Sequence, residues 1–163
     1  MAFAATNPQR FFCQENAIKG AAILVIEDDA MVRLGVELAL TSWGCRVLSS
    51  GSIRDAEQAL RASSFTPDLL LTDLHLDGHT EPTALDLLPP FLRRTGMSRV
   101  PVVVMTGNTA PRCRSATADQ GWELVIKPFK PTDLYGAINA AFRRHAAAEL
   151  PVVLSKPEDE AST

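Results

Sequence analysis

The chain has 163 residues, 46% of them hydrophobic, with a formal net charge of -3; that suffices for one domain with a true core and excludes global disorder. Lysines and arginines are scattered rather than clustered, which argues against nucleic acid as the main partner. No apolar run approaches the roughly 20 residues that span a bilayer, and the N-terminus lacks a basic start followed by an apolar stretch.

Residues 1–20 show no sustained period and read as a flexible tail. AAILVIEDD is a short buried strand running into three acids. In AMVRLGVELALTSWG, Val32, Val36, Ala39, Leu40 and Trp43 share one helical face, with Asp29 as N-cap and Gly44 as the stop. CRVLSS is a second strand, and SIRDAEQALRASS a helix capped by Ser52 with Ala56, Ala59 and Leu60 inward. DLLLTD is the third strand, followed by the turn-rich HLDGHTEP. TALDLLPPFLRRTG is helical, with Pro89-Pro90 expected to kink or split it. VPVVVMTG is the fourth strand, APRCRSATADQG a weak short helix, and ELVIKPF the last strand, ended by Pro128. PTDLYGAINAAFRRHAAAEL is a helix with Leu134, Ile138, Ala141 and Phe142 inward and Thr132 as its expected cap. Alternation of continuous apolar strands with helices predicts an α/β fold with a five-stranded parallel sheet. The ordered unit is expected over 21–147, with an acidic tail over 148–163. Cys13, Cys45 and Cys113 are far apart and form no C-x-x-C, as expected of isolated thiols in a reducing cytosol.

In open parallel sheets, ligands bind beyond the carboxyl ends of the strands. The first strand ends in Glu27-Asp28-Asp29, the third in Asp73, the fourth in Thr106-Gly107 and the fifth in Lys127-Pro128. Carboxylates gathered there stay ionised together only when a cation joins them, and an all-oxygen set suits Mg²⁺. With a hydroxyl and a lysine, the set is a kit for phosphoryl transfer, which needs positioning and charge neutralisation. Each piece has a blander reading as helix cap or turn former; the four strand ends together carry the inference.

ILVIEDD, LLLTDLHLDG, VVVMTG and VIKPF together resemble the receiver domain of bacterial two-component response regulators. The resemblance implies a flavodoxin-like, doubly wound sheet with helices on both faces. It implies that Asp73 is the phosphoacceptor, Asp28 the direct Mg²⁺ ligand and Glu27 its partner acting through water. The backbone carbonyl of His75 would be a further ligand, Thr106 the switch hydroxyl, and Lys127 the cation that pairs with acceptor and phosphate. The His75 side chain and Asn108 would lie at the pocket rim, tuning dephosphorylation. Activity would be self-phosphorylation and slow self-dephosphorylation rather than the turnover of an ordinary enzyme.

Two positions depart from the family pattern. Asp77 stands where a proline usually follows the acceptor, and Leu124 stands where an aromatic usually precedes the lysine. The implied partners are a sensor histidine kinase or histidine phosphotransfer protein and a downstream protein target, met through the face of the fourth helix, fifth strand and fifth helix. A homodimer is compatible with this. The expected location is cytoplasmic, with no membrane contact and no DNA-binding output domain after Phe142-Arg143-Arg144. The alternatives are a phosphorylation-independent interaction domain and a phosphatase of the haloacid dehalogenase type. The latter places an aspartate two residues after its nucleophile, where this chain has His75.

Overall fold

The computed structural model describes residues 18–76 and 83–149. In chain order the elements are β1 (Ala22–Ile26), α1 (Ala30–Ser42), β2 (Arg46–Ser50), α2 (Ile53–Ala62), β3 (Leu69–Asp73), α3 (Ala84–Arg94), β4 (Val102–Thr106), α4 (Pro111–Asp119), β5 (Glu123–Ile126) and α5 (Pro131–Glu149). The strands form one sheet in the order β2-β1-β3-β4-β5, every pair parallel. This is the flavodoxin-like arrangement, and its order reverses at β1, which opens a crevice beside β3 at the carboxyl ends.

Alternate strand residues feed two apolar layers. Ile23, Val25, Leu69, Leu71, Val103 and Met105 pack with Val36 and Leu40 of α1 and with Leu134, Ile138, Ala141 and Phe142 of α5. Leu24, Ile26, Leu70, Val102 and Val104 pack with Ala56 and Leu60 of α2, with Leu88, Phe91 and Leu92 of α3, and with Cys113 of α4. Helices therefore cover both faces, which is why β1 and β3 read as unbroken apolar runs. Each fully buried leucine contributes about 1.5–3 kcal/mol relative to exposure.

Local chemistry fixes the helix ends. The Asp29 carboxylate accepts from the N–H groups of Met31 and Val32 and starts α1; Gly44 ends it at φ 82°. Ser52 caps α2 by accepting from the Asp55 N–H. Thr83 and Asp86 form a reciprocal capping box at α3.

Several expectations need correction. Pro89 and Pro90 do not split α3, which runs as one helix from Ala84 to Arg94. Burial of Leu88 and Phe91 on either side of the prolines outweighs the two missing N–H donors. Thr132 is not the cap of α5: the helix starts at Pro131, and the Lys130 N–H donates to the Asp133 carboxylate at 2.9 Å. Proline at the first helical position has no donor to lose, so it opens the helix. Ile18 is buried, and the Gly20 N–H donates to the Gly44 carbonyl at 2.9 Å, so packing begins before residue 21. At the other end α5 reaches Glu149, beyond residue 147. Cys13, Asp77 and residues 150–163 of the expected acidic tail lie outside the described residues.

Candidate functional site

The carboxyl ends of β1 and β3 place Glu27, Asp28 and Asp73 so that one carboxylate oxygen from each lies within 4.8 Å of the others. Sheet pairing causes this: Ile26 sits opposite Thr72, so the next residues of both strands emerge side by side. The Glu27 N–H still donates to the Ser50 carbonyl at 3.1 Å, which ties the first acid to the end of β2. Its side chain is 0% exposed. Burial pushes the Glu27 carboxyl above the usual carboxylate range, and the hydrogen bond from Lys127 opposes that rise. Asp73 Oδ1 accepts from the Leu74 N–H at 2.7 Å. Its second oxygen, Oδ2, points to the pocket, where Lys127 Nζ lies 3.2 Å away.

Lys127 ties the acids together. Its Nζ donates to Glu27 Oε2 at 2.7 Å, a shorter contact than the one to Asp73. Burial pulls the lysine pKa down, but the Glu27 hydrogen bond and the charges of Asp73 and Glu27 outweigh it, and the net direction is upward. The Lys127 N–H donates to the Thr106 carbonyl at 2.7 Å, so lysine and threonine are held by one backbone contact. The Thr106 side chain is buried, and its Oγ1 accepts from the Asn108 N–H at 3.0 Å. The Asn108 side chain in turn accepts from the Ala110 N–H at 2.9 Å. Thr106 thus stands one residue past Met105, the partner of Asp73 across β3 and β4.

His75 lies two residues beyond Asp73, half-buried in the bend after β3. Leu124 and Trp122 pack against the layer of α2, α3 and α4. At this position the chain therefore has an aliphatic side chain set against the core. Arg33 was not singled out by the sequence reading. Its Nη1 donates to the Glu27 carbonyl at 2.5 Å and reaches the Asp28 carbonyl at 3.4 Å. No sequence signal marks such a contact, because its acceptors are backbone groups that every residue has.

Chemically, the site offers three clustered carboxylates for a hard cation, a lysine and a buried hydroxyl. Among the described residues, no helix is long and apolar enough to cross a membrane.

The chain is similar over most of its length to known proteins. The model of the response regulator receiver domain family matches residues 23–139. The KDP operon transcriptional regulatory protein KdpE of Escherichia coli is 30% identical over 139 residues, covering 84% of this chain and 58% of its own length. The two-component response regulator PhoP of Pseudomonas aeruginosa is 34% identical over 125 residues, covering 75% and 52%. The chain thus spans about half the length of the curated relatives it matches. The expectation of no DNA-binding output finds no support in them, since KdpE is named a transcriptional regulatory protein. Among solved structures, the chemotaxis protein CheY4 of Vibrio cholerae superposes with a TM-score of 0.63 at 20% identity, covering 75% of this chain and 98% of its own. The receiver domain of a sensor histidine kinase of Pseudomonas aeruginosa, solved with a magnesium ion in its active-site cleft, gives 0.61 at 22%, covering 76% and 98%. On the family match over residues 23–139, carried on this five-stranded fold, the chain belongs to the response regulator receiver domains of two-component signal transduction.

Proposed function

We propose that this receiver takes a phosphoryl group onto Asp73 from a phosphohistidine of a sensor histidine kinase or a histidine phosphotransfer protein. The observation that carries the reading is the cluster of Glu27, Asp28 and Asp73, with Lys127 bridging Glu27 and Asp73. Asp73 Oδ1 is occupied by the Leu74 N–H, so Oδ2 is the attacking atom. Oδ2 forms a bond to phosphorus, the phosphorus–nitrogen bond of the donor breaks, and the imidazole leaves with that electron pair. Glu27, Asp28, Asp73 and the backbone carbonyl of His75 would hold Mg²⁺, the ion in the cleft of the structural neighbour from Pseudomonas aeruginosa. Bound there, Mg²⁺ supplies charge neutralisation on the transferring phosphoryl oxygens. Lys127 shifts from Glu27 toward the new phosphate, whose roughly two negative charges outbid a single carboxylate. The Thr106 hydroxyl turns from the Asn108 N–H toward a phosphoryl oxygen.

That turn drags the loops after β3 and β4 and changes the face of α4, β5 and α5 toward a protein target in the cytoplasm. Leu124, packed in the core layer, cannot swing as an aromatic lever, so the signal passes through the backbone of the β4–α4 loop. The test is intact mass after incubation with a small phosphodonor and Mg²⁺, for the wild type and Asp73→Asn. A single adduct that requires Mg²⁺ and is absent from Asp73→Asn is expected. No adduct on a folded wild type, with several donors, would instead identify a phosphorylation-independent interaction domain.

A further inference from the structure

Lys127 touches two of the three clustered carboxylates: its Nζ sits on Glu27 Oε2 and Asp73 Oδ2. When Lys127 turns from Glu27 toward a phosphate, something else must keep the acids facing one another. Three carboxylates this close repel, and the segment Glu27–Asp29 lies past the end of β1, beyond the regular ladder.

We infer that Arg33 is a positioning residue for the acidic pair: its guanidinium, seated on the carbonyls of Glu27 and Asp28, holds both carboxylates in cation-binding geometry. The inference rests on the receiver reading of the site. Arg33 belongs to the first turns of α1, where its own N–H donates to the Asp29 carbonyl at 2.9 Å. From there the half-buried side chain reaches back six residues to the Glu27 carbonyl at 2.5 Å and five to the Asp28 carbonyl at 3.4 Å. Hydrogen bonds from a charged donor are the stronger kind, and one group on successive carbonyls fixes the peptide between them. Gly51, just past β2, lies alongside it: a Cβ there would stand in ordinary contact, 3.4 Å from Arg33 Nη1. Because Arg33 holds carbonyls and Lys127 holds carboxylates, the arginine does not compete with the metal. The two cations divide the work, one shaping the site through its backbone and the other contacting its carboxylates. Both arginine contacts come from Nη1, so a lysine, with its shorter stem and mobile ammonium, can replace them only in part.

The test is isothermal titration of the full chain with MgCl₂ for the wild type, Arg33→Ala and Arg33→Lys, after thermal melts without Mg²⁺ have shown each to be folded. Arg33→Ala is expected to weaken Mg²⁺ about tenfold or more, the usual effect of removing a group that orients metal ligands. Arg33→Lys is expected to fall between it and the wild type. The Mg²⁺ concentration giving a half-maximal phosphoryl adduct should rise by the same factor. Wild-type-like or tighter Mg²⁺ binding by folded Arg33→Ala would overturn the inference; tighter binding would mean that the arginine acts only as a repelling charge. Should Arg33→Ala fail to fold, wild-type affinity in Arg33→Lys would overturn it equally. A folded wild type that neither binds Mg²⁺ nor takes up phosphate would overturn the receiver reading itself, a result visible before any Arg33 variant is made.

Discussion

Glu27 and Asp73 stand at the ends of β1 and β3, where every residue of Ala22–Ile26 and Leu69–Thr72 is buried. Lys127 follows β5, an edge strand in which only Val125 is buried. The helix beside it, α4, buries just Cys113 and Thr117 and has no side-chain cap, because Ala110 occupies that place. The acid wall of the pocket is therefore mounted on the core, whereas of the two residues proposed to answer a phosphate Thr106 ends the buried strand β4 and Lys127 follows the edge. The difference suits the two tasks. A metal site works by fixed geometry, whereas a switch is drawn from the part of the fold that costs least to rearrange.

Core substitutions on the two sides should break or sustain this contrast most clearly. Leu70→Ala in β3 should cost about 3 kcal/mol, as large cavities in fully buried strands do. Thr117→Ala in α4 loses one hydrogen bond, to the Cys113 carbonyl at 2.8 Å, and should cost about 1 kcal/mol. Urea titrations of both variants check this, and equal costs would erase the distinction. Hydrogen exchange gives the same comparison without mutation: amides of α4 should open with a free energy at least about 1.4 kcal/mol below those of β1 and β3.

Caps sharpen it further. Ser52→Ala should destabilise by about 1 kcal/mol, while Ala110→Ser, supplying the cap that α4 lacks, should stabilise by about 0.5 kcal/mol. Thermal melts read both; a gain at Ala110 that also slows exchange in α4 would tie the softness of that helix to its missing cap.

A further effect expected is an alkaline loss. Burial pushes the Cys45 thiol from 9.0 up to about 11. Lys127 is held above 10.5 because the Glu27 hydrogen bond and the charges of Asp73 and Glu27 outweigh its burial. The folded state keeps both protons more tightly than the unfolded chain. Their contribution is complete below pH 9.0 and fades as pH rises, first through Cys45 up to about 11 and then through Lys127 above 10.5. Urea midpoints across this range measure the loss, and Cys45→Ala should flatten its first part.

The strands and the strand-end residues could be read from sequence because parallel strands covered on both faces must be apolar throughout. A single acid, threonine or lysine at the end of such a run then stands out. Helix ends were legible where a side chain does the capping, as at Asp29 and Ser52. They were misread at Thr132, where Pro131 and the Asp133 carboxylate set the start instead. The split allowed for at Pro89-Pro90 does not occur, because local rules count missing donors and cannot weigh the core that Phe91 and Leu88 reach. Arg33 escaped for a different reason. A side chain that binds carbonyls is indifferent to the identity of the residues it holds, so nothing in their types announces it.

The chain has two tryptophans, and the sheet separates them. Trp43 belongs to the layer of α1 and α5, where its ring meets Tyr135 edge-on at 5.1 Å. Trp122 belongs to the opposite layer, beside Leu124 and just before Lys127. The protein thus carries one emitter near its responsive edge and another on the far side of the barrier. With Trp43→Phe and Trp122→Phe as the two single-emitter forms, fluorescence can be followed from each side of the sheet in turn. A phosphoryl-dependent change confined to Trp122 would be an optical record of the switch, with Trp43 as its built-in reference.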